Sequence, residues 1–159
     1  LDCIRVALRF HEMLEHFGLK SFAKTSGGKG LHLYVQLPSV VPFAETTTFS
    51  RAIAQLLEKE DPEQVTTNMR KDLRAGKVFV DWSQNDRHKT TVCVYSLRAR
   101  IRPTVSTPVE WEERDRASRE KDASMLVFET EDVLKRVAKK GDLFEPILRL
   151  KQKLPKLEG

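Results

Sequence analysis

The chain holds only two cysteines in 159 residues, Cys3 and Cys93. Two thiols this far apart make no disulfide framework and rule out a cysteine-rich zinc site. They fit a reducing cytosol. No apolar run approaches the ~20 residues that a bilayer-spanning helix needs. The opening L-D-C-I-R-V-A lacks the basic and long apolar regions of a secretion signal. Internal repeats and low-complexity tracts are also missing. Glycine is scarce, yet three of the seven glycines fall within residues 27–30. What is present, 40% hydrophobic and 32% charged residues, fits one folded domain over 1–159 rather than a disordered tail.

The net charge of +5 is unevenly spread. Residues 68–102 carry nine Lys or Arg against three Asp, a local +6, which leaves about −1 for the rest. Residues 108–132 reverse the balance, with nine acidic side chains against four basic. A concentrated basic segment is the footprint of a phosphate-rich partner, or else a solvated, salt-bridged face.

Periodicity predicts a helix over Asp2–Phe17, with Val6, Phe10, Met13 and Phe17 on one side and Gly18 ending it. Ser21–Thr25 reads as a short extended piece. Leu31–Leu37 alternates, with Leu31, Leu33 and Val35 on one face and His32, Tyr34 and Gln36 on the other. Phe49, Ala52, Ile53, Leu56 and Leu57 form a second helical stripe that runs out at Asp61-Pro62. Lys77–Trp82 and Thr90–Leu97 read as strands. A proline-punctuated irregular stretch follows. Thr130 is the expected cap of a helix that Gly141 stops, and Leu143–Leu154 is expected to form a last short helix. Helices and strands mix without strict alternation. The expected class is therefore α+β, a mixed or largely antiparallel sheet flanked by helices.

The chemical signal lies in K-T-S-G-G-K-G-L-H-L-Y-V, residues 24–35. Glycines at 27, 28 and 30 let backbone N–H groups crowd an anion. Lys29 adds a charge, Ser26 a hydroxyl, and His32 an imidazole on the strand that follows. The layout suits a polyphosphate; the plainer reading is a strand-to-strand turn. It is not a Walker A loop, because Ala23 and Gly30 stand where Gly and Ser/Thr are required. It is not a dinucleotide fingerprint either, because a strand rather than a helix follows. Asp81 ends an apolar strand beside Trp82 and needs an ion-pair partner or a metal. A lone carboxylate rarely holds Mg²⁺ or Mn²⁺, and no D-x-D pair occurs in the chain. Arg98 offers a planar fork for phosphate, and Arg70, Lys71 and Arg74 share a face if helical.

Four blocks together, K-T-S-G-G-K-G-L-H, R-K-D-L-R-A-G-K-V-F-V-D-W-S-Q-N, K-T-T-V-C-V-Y-S-L-R-A-R and V-S-T-P-V-E-W-E-E, resemble the polymerase domain of bacterial DNA ligase D. That domain belongs to the archaeo-eukaryotic primase superfamily. The resemblance spans about Phe22 to Glu113 and is looser beyond. It implies a partial primase-polymerase core and a nucleotidyltransferase of non-homologous end joining, cytoplasmic and nucleoid-associated in a bacterium or archaeon. It implies DNA ends and nucleoside triphosphates as substrates, Mn²⁺ or Mg²⁺ as cofactor, and ligase and Ku-type end-binding proteins as partners. Residue by residue, Ser26, Gly27, Gly28, Lys29, His32 and Arg98 would hold the triphosphate. Asp81 would be one of three metal-binding carboxylates. Arg74, with Lys71 and Lys77, would lie near nucleic acid.

The family's D-x-D strand, which precedes the first helix, has no match here; Asp2 stands alone. The expectation is a C-terminal portion of the domain, weak or inactive alone. An open sheet edge, a partly bare first helix and self-association through that edge would follow. The competing reading is a non-catalytic module that holds DNA ends. A generic nucleotide hydrolase is disfavoured because both common phosphate fingerprints fail.

Overall fold

The computed structural model describes residues 1–38 and 40–156. Eleven regular elements are described: α1 (Asp2–His16), β1 (Ser21–Thr25), β2 (Leu31–Val35), α2 (Phe43–Glu60), β3 (Val65–Thr66), β4 (Val78–Phe79), β5 (Leu97–Arg98), β6 (Thr104–Val105), β7 (Pro108–Val109), α3 (Trp111–Arg119) and α4 (Thr130–Lys140). Short 3₁₀ turns at Lys71–Arg74, Trp82–Gln84, Ala123–Leu126 and Glu145–Leu148 join them.

α1 is the hub. Its apolar side chains reach three clusters. Ile4 meets Val109, Ala117 and Leu126; Leu14 meets Leu19, Phe49 and Ile53; Val6 meets Leu57 and Val65. The predicted stripe is covered at Val6 and half-covered at Phe10, Met13 and Phe17. Gly18, at φ +71, lets the chain turn so that the Gly18 and Leu19 N–H groups bond the Glu15 and Leu14 carbonyls at 2.8 and 2.9 Å. That turn delivers Leu19 to the core and starts β1.

β1 is the centre of a three-stranded antiparallel sheet in the order β2-β1-β7. Lys24 stands opposite His32, and Thr25 opposite Leu31. β3 and β4 form a parallel pair, and β5 and β6 an antiparallel one. The expected α+β class with mixed pairing is what the chain adopts. β2 is the outer strand of its sheet, and it and β4 both pack on α1 without bonding each other.

Several predicted elements change. The expected strand over 90–97 shrinks to Leu97–Arg98. Tyr95 takes φ +62, which no strand tolerates, and its N–H bonds the Ser106 carbonyl instead. The expected strand at 77–82 keeps only Val78–Phe79 as ladder, because Trp82 begins a 3₁₀ turn. The last helix reduces to Glu145–Leu148. The cap of α4 is Glu129, one residue before Thr130, and Gly141 ends the helix at φ +71. α3 arises inside the acidic segment, where no apolar stripe announces it; Ala117 and Arg114 are its buried residues. Among the described residues no helix is long and apolar enough to cross a membrane.

Candidate anion-binding site

β1 is buried along its whole length, and that includes a lysine. Lys24 has 0% exposure. Its Nζ donates to Ser106 Oγ at 2.7 Å, and that hydroxyl in turn donates to the Thr25 carbonyl at 2.7 Å. The ammonium lies 5.8 Å from the Tyr34 ring centre. Among the described residues no carboxylate pairs with it. Burial, joined by the charge of Arg98 and opposed by Cys93, pushes its pKa down from 10.5 to about 8.

His32 follows from the register. Directly opposed residues of an antiparallel pair project on the same face, so His32 shares the side of Lys24. It is half-buried, and its Nδ1 is buried with no hydrogen-bond partner among the described residues. Burial, then the charges of Lys24 and Arg98, holds its pKa below the usual imidazole value. Lys24, His32 and Arg98 therefore form one electropositive neighbourhood that no carboxylate pairs with among the described residues.

The glycine turn closes one side. Ser26 N–H bonds the Gly30 carbonyl at 2.9 Å, and Ser26 Oγ accepts from the N–H groups of Gly28 and Gly30 at 3.1 and 3.2 Å. Ser26 thus shapes the turn. Gly27, at φ +69, packs so tightly that an added Cβ would collide with Arg98 Cγ. Thr104 Oγ1 donates to the Gly27 carbonyl at 2.5 Å. The Arg100 guanidinium lies against Gly28. Lys29 is exposed and, with Gly28, Gly30, Lys77 and Phe79, lines a groove of about 790 Å³ that also meets the start of α1.

Asp81 has a different setting. Ser83 Oγ donates to its Oδ1 at 2.6 Å and Gln84 Nε2 to its Oδ2 at 2.7 Å. Burial raises its pKa, but these two bonds and the charge of Lys89 outweigh it, so the net shift is downward. It is not among the residues that line the groove of Lys29. Among the described residues no group of three His, Cys, Asp or Glu could hold a metal ion. One carboxylate with both oxygens engaged does not by itself make a divalent site.

Of the remaining predicted residues, Arg74 and Lys77 are engaged by the fold. The Arg74 guanidinium stacks 3.5 Å over the Phe79 ring, and its Nε bonds the Asn68 carbonyl at 3.0 Å. Lys77 Nζ bonds the Pro62 carbonyl at 2.6 Å. Lys71 is exposed on the 3₁₀ turn with Arg74. Sequence reasoning assigned no role to Lys24, Ser106 or Arg100. The available signal for Lys24 was a charged residue in a five-residue strand, S-F-A-K-T, immediately before the glycine turn.

The family model of the LigD primase-polymerase domain matches residues 1–144. The multifunctional non-homologous end joining protein LigD of Mycobacterium bovis is 46% identical over 140 residues, which are 88% of this chain and 18% of that protein. The bifunctional non-homologous end joining protein LigD of Bacillus subtilis is 31% identical over 98% of this chain and 25% of its own length. Among solved structures, the polymerase domain from Mycobacterium tuberculosis ligase D in complex with DNA matches with a TM-score of 0.83 and 44% identity, over 92% of this chain and 49% of that one. The chain thus spans about half of that solved domain and a quarter or less of those two curated relatives.

Proposed function

This chain belongs to the LigD primase-polymerase family, and from that membership we propose that it forms the triphosphate-binding part of a primase-like nucleotidyltransferase acting at DNA ends in non-homologous end joining. The observation that carries the reading is Lys24, a fully buried cation beside His32 and Arg98 with no carboxylate partner among the described residues. A buried unpaired charge is costly, and a bound anion relieves that cost.

The polyphosphate would lie against His32 and Arg98, with the buried charge of Lys24 beneath them and the turn Ser26–Gly30 at its side. Arg98 supplies a two-pronged grip and Lys24 a desolvated point charge. His32 reaches neutral pH mainly uncharged and donates one N–H to a phosphate oxygen. In phosphoryl transfer, charge builds on the departing pyrophosphate, and fixed cations in a water-poor site stabilise it. Lys29 and Lys77, on the larger groove, would face the same substrate or the DNA that accompanies it. Mn²⁺ or Mg²⁺ remains the expected cofactor, with Asp81 as one ligand. Such an ion needs further oxygen ligands beyond those described here. The DNA end, the joining ligase and Ku-type proteins are the partners proposed, and the outer edge of β2, unpaired among the described residues, is the surface proposed for self-association.

The engagement of Asp81 with Ser83 and Gln84 favours a second reading of this chain in isolation: it binds nucleotide and DNA ends without turning over. Titration with ATP tests the site itself. ATP and inorganic tripolyphosphate should compete for one site, and Arg98→Ala should weaken both by about tenfold or more, the loss of one charge-assisted pair. Unchanged affinity in Arg98→Ala would remove this cluster from the nucleotide site.

A further inference from the structure

The hairpin that supplies Arg98 carries a second feature at its tip. β5 and β6 pair with Leu97 opposite Val105 and Arg98 opposite Thr104, so residues 99–103 form the turn. The base of the hairpin is closed on itself and tied to its surroundings through β6. Thr104 bonds the Gly27 carbonyl, the Val105 N–H bonds the Phe128 carbonyl at 2.8 Å, and the Ser106 N–H bonds the Ser96 carbonyl at 2.9 Å. The arginines alternate along it, and each has a place. Arg98 packs on Gly27, Arg100 lies against Gly28, and Arg102 holds the Glu129 carboxylate at 2.5 Å.

Ile101, between the last two, is fully exposed. A lone surface isoleucine is ordinary. This one is a stiff β-branched side chain at the tip of a basic hairpin whose foot is the candidate phosphate turn. A phosphate backbone held by Arg100 would have Ile101 as its immediate neighbour in the turn. Proteins that distort nucleic acid use this combination, cations on the backbone and an aliphatic wedge against a base.

We propose that Ile101 is a base-contacting wedge: a DNA end whose backbone lies on Arg100, beside the triphosphate gripped by Arg98, presents its terminal base to Ile101, which packs on it and unstacks it from its neighbour. The proposal rests on the reading that this chain binds DNA ends. It adds a positioning residue that touches a base rather than the triphosphate.

A duplex carrying 2-aminopurine as its terminal base tests this with the 159-residue chain. Binding of the wild type should raise the emission as the base unstacks. Ile101→Ala should abolish the rise and weaken binding about fivefold to tenfold, in the range of one lost base contact. Its salt dependence should match wild type, because no charge is removed. Arg100→Gln should show the converse, a salt slope lower by about one with the rise retained. An undiminished rise in Ile101→Ala overturns the wedge, as does an equal rise from 2-aminopurine placed mid-duplex. A chain that binds ATP but no DNA overturns the wedge and leaves the triphosphate site standing. A wedge signal without ATP binding does the reverse.

Discussion

Replacing Lys24 with methionine separates stability from binding, because the two should move in opposite directions. Methionine keeps most of the stem and removes the charge. In the folded chain the ammonium titrates near 8 rather than 10.5, a difference worth about 3 kcal/mol against the folded state at neutral pH. Loss of the bond to Ser106 offsets roughly 1 kcal/mol, since Ser106 keeps its own bond to Thr25. The expected net gain is about 2 kcal/mol, or roughly 4–8 °C in Tm for a chain of this size. The pH dependence has a definite sign. Between 8 and 10.5 the unfolded chain keeps the Lys24 proton and the folded chain has released it, so wild-type stability rises with pH through that window. The advantage of Lys24→Met should therefore narrow to under about 1 kcal/mol near pH 10. Urea unfolding of both proteins at neutral pH and near pH 10 measures this, and ATP titration gives the other half, an expected loss of at least about tenfold. A variant that is less stable at neutral pH, or a gap that does not narrow with pH, would refute the picture of a desolvated, unpaired lysine. Unchanged ATP affinity would refute its role as an anion ligand.

Two further outcomes follow from other contacts. Glu113 accepts from Arg136 at 2.6 Å through one oxygen and from the Glu110 N–H at 2.9 Å through the other, with Lys140 at 3.0 Å. Burial opposes its charge, but these donors outweigh it and bring the pKa from 4.5 to about 2. Its contribution, about 3 kcal/mol, is complete above 4.5 and is lost as pH falls towards 2. Glu113→Gln should lower stability by about that amount at neutral pH and flatten the acid limb of the unfolding profile; parallel profiles would count against the pair. Gly27→Ala should lower both stability, by about 1 kcal/mol or more, and ATP affinity, because its Cβ would displace Arg98. Gly28→Ala meets the far end of the long Arg100 side chain and touches Ser26 Oγ at 3.4 Å, and should cost less. Thermal melts and ATP titration of the two variants decide this.

Legibility varied with the range of the interaction. α1, β1, β2 and α2 were readable because local periodicity and a terminal glycine or proline mark them. The segments 90–97 and 143–154 misled because β-branched or apolar composition is only a propensity. At Tyr95 a left-handed backbone, held by a bond to Ser106, prevailed over that propensity. α3 was invisible because its anchor is a buried arginine, stacked 3.2 Å over Trp111, rather than an apolar stripe.

The candidate site divides along the same line. Linear spacing sufficed to place Ser26, the glycines and His32 around one turn, since all lie within seven residues. The blocks around Asp81 and Arg98 carried the family resemblance without their neighbours being known. Tertiary structure alone set Lys24 beside Arg98, brought Ser106 beneath its ammonium, and gave Asp81 to Ser83 and Gln84. The reason is physical. Chain order constrains which backbone atoms can turn or pair nearby, whereas the cost of a buried charge depends on every element that excludes water from it, and those elements come from β1, β2, β5 and the segment before β7 at once.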